Sequence, residues 1–390
     1  MGGGGRSLLD AATHLTGIVK SAQVSCDVKD PVSALSDALG DGPFALVVLF
    51  ASPCSDFKSV VAEAAQTLPT KHVIGCTTAG ELGRGGYDEK TIVAMGLPAS
   101  HFAAAPMLIS DLEDLDQQEI VGQMIRTRTV LTSQAPEWQH EFAFLAVDGL
   151  SVKEDEVVSA ISSGLGPVPL FGGSAGDGDR FGATLVSLDG DVHAHAAVLC
   201  FVRTVCPVHV FSLDHLKPTE IRMVVTEADP KRRIVRKINA EPAAREYARL
   251  LGKDPEQLSA FTFAAHPVVV RFGGTHHVRA IQRVLDNGDL VFFSAIDEGL
   301  VLALAEPEDM ATHLERELNA IGKGRKPDAI FACDCILRRV EAQEKQATTA
   351  LSQIMANNRV VGFSTYGEQI NSMHVNQTMT GVAIFAPDGE

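Results

Sequence analysis

Three short segments of the chain combine paired glycines with hydroxyls, a thiol and carboxylates in one recurring pattern. They are VIGCTTAGE at Val73–Glu81, LFGGSAGD at Leu170–Asp177 and VVGFSTYGE at Val360–Glu368. Glycines that follow an apolar run let the chain turn at positive φ and let another group approach the backbone. Amides and hydroxyls placed there could line a ligand site at strand ends. The other reading is that the three are tight turns packed against one another. None ends in the Gly-Lys-Ser/Thr of a phosphate-binding loop or opens a dinucleotide-binding helix, so no nucleotide site is expected. Cys76 stands where a thiol nucleophile would, yet no base can be assigned to it. Glu81 and Glu368 hold equivalent positions and resemble a general acid–base pair, but the repetition favours a structural role in which each closes its turn by accepting backbone N–H bonds.

Other candidates are weaker. His193 and His195 alternate onto one face as a two-point metal clip would, but no third ligand follows. Cys333 and Cys335 share a face, and two thiols without a second pair make a poor structural zinc site. Without Cys-x-x-Cys-His, covalent c-type haem attachment is excluded. Buried small hydrophobes are the better reading of Cys76, Cys333 and Cys335. Arg271, Arg279 and Arg283 could meet haem propionates or the carboxylate of an amino acid, and His374 in the loop of the third repeat could serve a small polar ligand.

The elements that must position these residues repeat as well. Apolar runs at Phe44–Phe50, Phe142–Val147 and Ala329–Cys333 each lead through a helical stretch to a glycine segment. Each unit closes on a further apolar run, at Thr91–Leu97, Ala196–Val202 and Met379–Phe385. The grammar is strand, helix, strand, Gly loop, strand, and uninterrupted apolar strands fit sheets covered on both faces. Ser151 with Glu154 reads as a capping box for the second helix, and one helix is expected through Gln343–Met355. Between the second and third units the pattern changes. Arg222–Thr226, Ile234–Ile238, Thr262–Phe272 and Leu290–Ile296 read as strands, with helices from Pro242 to Gly252 and over Glu308–Ile321.

At 390 residues the chain exceeds what one core usually holds. Its 45% hydrophobic content argues against disorder, and a net charge of −16 argues against nucleic-acid or anionic-membrane binding. The glycine-rich start through Arg6 matches neither a secretory nor a myristoylation signal, and no membrane span is expected. Seven cysteines without framework spacing fit a reducing compartment, hence a cytoplasmic protein.

VIGCTTAGEL, LFGGSAGDG and GFSTYGEQINSMHVNQT, together with INAEPAAREYARLLG at Ile238–Gly252 and AIDEGLVL at Ala295–Leu302, resemble the signature stretches of the FIST family. The resemblance implies an α/β, two-domain FIST fold with repeated strand-helix-strand-Gly loop-strand units and buried mixed sheets. It places an N-terminal segment at 1–29, a FIST N-terminal domain at 30–210 and a FIST C-terminal domain at 211–390. It also implies a sensory, ligand-binding role rather than an enzymatic one.

Length and the stretch FACDCILRRVE at Phe331–Glu341 are similar to a narrower branch, the bacterial FIST proteins that bind haem b and sense nitric oxide. That resemblance implies regulation of a separate histidine kinase or cyclic-di-GMP enzyme, because no kinase or cyclase motif is fused here. Haem needs an apolar slot and an axial imidazole. His215 is expected to be that metal ligand, in a slot walled by Phe211, Leu213 and Leu216, with Arg271 towards the propionates. His276, His277 and His266 are the alternative ligands; of the adjacent pair after Gly273–Gly274, only one can face an iron. The family-level alternative is a sensor of a small metabolite such as an amino acid, without haem. An enzyme acting through Cys76 or the repeated glutamates is the third reading. Oligomeric state, a homodimer included, stays open.

Overall fold

The computed structural model describes residues 17–272 and 275–387. The Met1–Arg6 start and Gly273–Gly274 lie outside the described residues. Unit one runs β1 (Lys20–Ser25), α1 (Pro31–Leu39), β2 (Phe44–Ala51), α2 (Phe57–Thr67), β3 (Val73–Thr77), a hairpin of β4 (Glu81–Gly83) and β5 (Gly86–Asp88), and β6 (Thr91–Pro98). Unit two repeats it with β7 (Phe102–Ile109), α3 (Gln117–Gln134), β8 (His140–Val147), α4 (Glu154–Leu165), β9 (Leu170–Ser174), the hairpin β10 (Val186–Leu188) and β11 (Asp191–His193), and β12 (Ala197–Thr204). Unit three opens on β13 (Val208–Leu213) and is then interrupted by a lobe.

The lobe contains β14 (Leu216–Asp229), β15 (Ile234–Ile238), β16 (Glu241–Pro242), α5 (Ala243–Leu251), α6 (Ala260–Ala265), β17 (Val268–Phe272), β18 (Thr275–Val278), β19 (Ile281–Val284), β20 (Leu290–Phe292) and β21 (Val301–Pro307). Unit three resumes with α7 (Met310–Ile321), β22 (Ala329–Cys335), α8 (Ile336–Glu344), α9 (Thr348–Asn357), β23 (Val360–Thr365), the hairpin β24 (Glu368–Ile370) and β25 (Met373–Val375), and β26 (Met379–Ile384).

The three units build three six-stranded sheets of one design: β1-β6-β2-β3-β10-β11, β7-β12-β8-β9-β24-β25 and β13-β26-β22-β23-β4-β5. In each, the two central strands of a unit run parallel and the closing strand pairs antiparallel beside the first. The last two strands always come from another unit. Unit two lends its hairpin to unit one, unit three to unit two, and unit one to unit three.

The sheets meet on a shared apolar core in which Phe50 packs on Phe331 and Phe363, and Phe331 on Phe144 and Phe171. Separate apolar clusters attach α1 and α2 to the first sheet, α3 and α4 to the second, and α7 and α9 to the third. Strands so covered on both faces must be apolar throughout, and every residue of β2 and β22 is buried.

The glycines of the repeat fall at one register position. Gly75 lies opposite Leu49, Gly172 opposite Leu145 and Gly362 opposite Ala332. A Cβ on Gly75 would sit 2.8 Å from the Leu49 carbonyl oxygen, and the other two would meet the equivalent carbonyls more closely still. Close approach of the parallel strand, not a turn, requires glycine there. Lys90, His195 and Gln377, each just before a closing strand, share left-handed φ values of 57°, 50° and 53°.

Several expectations are corrected. Ser151 and Glu154 form no capping box: the hydroxyl donates to the Asp148 carbonyl, and Glu154 turns to Arg233 of the lobe. Thr262–Ala265 is helical, capped by Ser259, with the strand starting at Val268. The helix through Gln343–Met355 is two helices, broken where Gln346 adopts a φ of 54°. Cys26 and Cys54 form a disulfide; the five other cysteines are buried. The cysteine argument for a reducing compartment therefore does not hold. The boundary expected at 210/211 falls inside β13, and exchanged hairpins cross it.

Replacing Gly75 or Gly172 by valine forces the new side chain against a strand carbonyl. A loss of ~1–3 kcal/mol or more in urea unfolding is expected. Wild-type midpoints for both variants would remove the close-approach account.

Candidate functional site

The exchange of hairpins draws the three glycine loops together. The Ala79 N–H donates to the Ser364 carbonyl at 2.9 Å, Gly176 to Thr77 at 3.0 Å, and Ser174 to Gly367 at 2.7 Å. The repeated glutamates are buried in hydroxyl cradles beside these crossings. Glu81 accepts from Ser52, Thr78 and Thr91, and Glu368 from Thr365 and both the hydroxyl and the N–H of Thr378. The structural role expected for them stands, with hydroxyls rather than backbone amides as the main donors. Burial raises both carboxyls, Glu368 to about 8. Cys76 is buried and its thiol pushed far up by that burial and by Glu81, so no thiolate nucleophile is available there. Cys333 and Cys335 are buried in the same way.

His215 lies between β13 and β14, at the root of the lobe, with no exposure. Arg338 Nη1 donates to its Nδ1 at 2.9 Å. A guanidinium only donates, so the ring proton is on Nε2, which donates to Glu341 at 2.9 Å. The chain of contacts extends from Arg338 to Asp334 at 2.7 Å, from Asp334 to the Tyr87 hydroxyl, and from Glu341 to Lys345 at 2.7 Å. Burial lowers the His215 pKa despite Glu341, and Arg338 adds to the lowering. Burial pushes the Glu341 carboxyl up, but the bonds from His215 and Lys345 win and hold it low.

Both nitrogens of His215 are therefore committed, and the expectation of an axial metal ligand there is corrected. Its supposed neighbours do not converge either. Phe211 and Leu213 belong to the core under the third sheet, whereas Leu216 packs against the lobe cluster. Arg271 and His276 face each other across the β17–β18 hairpin, exposed. Among the described residues no group of three or more His, Cys, Asp or Glu side chains is placed to hold a metal ion. The residues proposed for haem do not fit it.

A different set of residues does converge. Ten buried side-chain nitrogen and oxygen atoms lack a hydrogen-bond partner among the described residues, and six of them belong to Ser364, Gln369, His374, Asn376 and Gln377. This concentration departs from the threefold pattern. The Gln369–His374 pair of β24–β25 occupies the register position held by Leu82–Tyr87 and Ser187–Val192 in the other hairpins. Gln369 Nε2 donates to Ser174 and to Nδ1 of His374, at 2.9 and 3.2 Å. The His374 proton is therefore on Nε2, an unpartnered donor. Burial lowers the pKa of this imidazole and keeps it neutral; Asp155, Glu154, Arg233 and Arg279 lie within electrostatic reach. Gly367 makes room for it, since a Cβ there would strike His374 and Asn376.

The lobe and α4 close the other side. Arg233 donates to Glu154 at 2.7 Å and to Asp155 at 3.2 Å, and Asp155 accepts the Ala295 N–H at 3.1 Å. Between them Ser294 Oγ is unpartnered and fully buried. Arg279 donates to the Val278 carbonyl at 3.3 Å, leaving its buried Nε unpartnered. Burial lowers its pKa, and Asp155 within electrostatic reach partly offsets that lowering.

Residues 45–241 match the FIST N domain and residues 243–371 the FIST C domain. The chain belongs to the FIST family. FIST domains are sensory, ligand-binding domains of signal transduction, not catalytic ones. No curated protein matches this FIST chain. The border between the two matched regions falls inside the lobe, at β16. No helix among the described residues is long and apolar enough to cross a membrane.

Of the residues singled out from the sequence, Arg279 and His374 lie in this convergence. Ser294, Asn376 and Gln369 were missed, although two of those three lie in the motif GFSTYGEQINSMHVNQT. Aligning the hairpins of the repeats would have exposed the polar pair.

His215 gives a signed pH dependence. Its folded pKa lies below the ordinary 6.5, so between the two values the unfolded chain binds a proton that the folded chain refuses. Stability should fall as pH drops through ~6.5 and level off below the folded value. His313 and His374, also lowered by burial, contribute with the same sign. Melting between pH 8 and pH 5 should show this slope in the wild type and a smaller one in His215→Gln. Equal slopes would remove His215 from the account.

Proposed function

We propose that the protein senses a small polar metabolite such as an amino acid, held where the β24–β25 hairpin, α4 and the lobe meet. One observation carries this reading: unpartnered buried polar atoms from three separate parts of the chain gather at one place. The Arg279 guanidinium and the Nε2–H of His374 are donors suited to a carboxylate. The amide oxygens of Gln369 and Asn376 are acceptors suited to an ammonium group, with Glu154 and Asp155 within electrostatic reach beside Arg233 and Arg279. Buried polar groups are normally satisfied, and a ligand with both kinds of group would satisfy these. Because its contacts come from the body and the lobe together, binding would hold the two in one arrangement, which is how occupancy becomes a signal.

A haem reading would need an imidazole nitrogen facing an apolar slot. Among the described residues two buried imidazole nitrogens lack partners, on His313 and His374. The first lies within electrostatic reach of Arg338 and the second of Arg279. Neither setting favours haem over a polar metabolite.

The test is a thermal-shift and calorimetric screen of the twenty L-amino acids and simple carboxylic acids. At about one hundred times Kd a ligand adds ~2.7 kcal/mol of apparent stability. At least one member should shift the wild-type melting temperature, and Arg279→Met should lose that shift while melting close to wild type without ligand. A screen with no binder, or undiminished binding by Arg279→Met, would reject the reading.

A further inference from the structure

The threefold pattern shows which part of the molecule the fold does not require. The link from the second parallel strand to the exchanged hairpin takes residues 78–80 in unit one, 366–367 in unit three and 175–185 in unit two. The longer link adds no strand. Its base is fixed: the Gly178 N–H donates to the Thr78 carbonyl at 3.0 Å, and the Leu185 N–H to the Thr77 hydroxyl at 3.0 Å. Between these ends it closes on itself, because the N–H groups of Phe181, Gly182 and Ala183 all donate to Asp177, at 2.8, 2.7 and 2.9 Å. Asp179, Arg180, Gly182 and Ala183 are exposed.

Phe181 instead turns inward. Its ring stacks on Tyr366 at 4.6 Å between centroids and approaches Phe293 at 6.1 Å. Tyr366 adjoins Gly367, which backs His374 and Asn376; Phe293 adjoins Ser294. One aromatic ring thus bridges the two walls of the candidate site. The unpartnered atoms within are sealed from solvent, so no ligand reaches them unless some element opens.

We propose that residues 178–184 are a lid over this site and that Phe181 is its latch. This regulates the ligand site proposed above and so rests on that reading. Asp177 ties the closed lid to the body: besides the three N–H groups it accepts the Tyr366 hydroxyl. The lid opens about Gly178, whose φ of 76° is open to glycine. Opening costs the Phe181 contacts, the three N–H bonds to Asp177 and the Thr184 hydroxyl bond to Asp148, and leaves the sheet hydrogen bonds intact, so it is a local event well below global unfolding.

The experiment needs no ligand. Diethyl pyrocarbonate acylates neutral imidazoles, and peptide mass spectrometry reads its rate at each histidine of the intact protein. His374 reports the space under the lid. His215, equally buried but beneath the root of the lobe, reports general loosening. In Phe181→Ala the rate at His374 should rise on the order of tenfold while that at His215 stays at wild type. Phe181→Leu, which keeps an apolar latch, should remain near wild type and serves if the alanine variant fails to fold. An unchanged His374 rate in Phe181→Ala, or parallel rises at both histidines, would overturn the lid. Protection of His374 by an amino acid is scored separately: opening without protection by any amino acid of the screen retains the lid and rejects the metabolite reading.

Discussion

Each sheet of the body is finished by a hairpin that another unit supplies, and that exchange governs the rest of the structure. To deliver their hairpins, units one and three cross from their own second strand to the neighbouring sheet within two or three residues. The crossings are therefore crowded, and the loops hydrogen-bond to one another rather than to water. Glycine is required where the two parallel strands of each unit come closest, because a Cβ at Gly75, Gly172 or Gly362 would strike the opposite carbonyl. The same crowding buries Glu81 and Glu368, and each carboxyl is tolerated because hydroxyls surround it. No unit can complete its sheet alone, so the body must form as one cooperative whole.

The lobe is attached to this body through polar chemistry as well as apolar packing. At its root, His215 stands between Arg338 and Glu341 in a row that reaches Tyr87 of the unit-one hairpin. At its far side, Arg233 takes Glu154 and Asp155 at the start of α4. Removing one partner from such a row leaves a buried charge unmatched, which costs about 3–5 kcal/mol. These rows fix where the lobe sits and bring Arg279 and Ser294 to the hairpin that carries His374.

Near-symmetry makes the departures informative. Two hairpins place Leu82–Tyr87 and Ser187–Val192 at the position where the third places Gln369–His374. Two links are as short as the crossing allows and the third is long. Both departures fall at the junction of body and lobe, where packing alone would favour apolar residues and a short connection. A polar interior beneath an extra loop suits a fold that binds a small molecule and reports it, as FIST domains do.

The sequence by itself determined the repeat, because glycine at a crowded register position and apolar runs for doubly covered strands are local requirements that any reader of the chain can see. It also determined the family, and through GFSTYGEQINSMHVNQT the segment that holds most of the unpartnered atoms. It did not determine which unit lends a hairpin to which. A three-residue strand carries the same pattern whichever sheet it joins, and the choice depends on the geometry of all three sheets at once. Nor could it assign His215. A histidine at a strand end beside Phe211 and Leu213 reads as an available ligand until the fold brings Arg338 and Glu341, more than a hundred residues away, to both of its nitrogens. Arg279 and His374 lie 95 positions apart, and neither shows from its neighbours that it lacks a partner. Only the tertiary structure decides that, because satisfaction of a buried polar group depends on everything within a few ångströms of it and hardly at all on what precedes it in the chain.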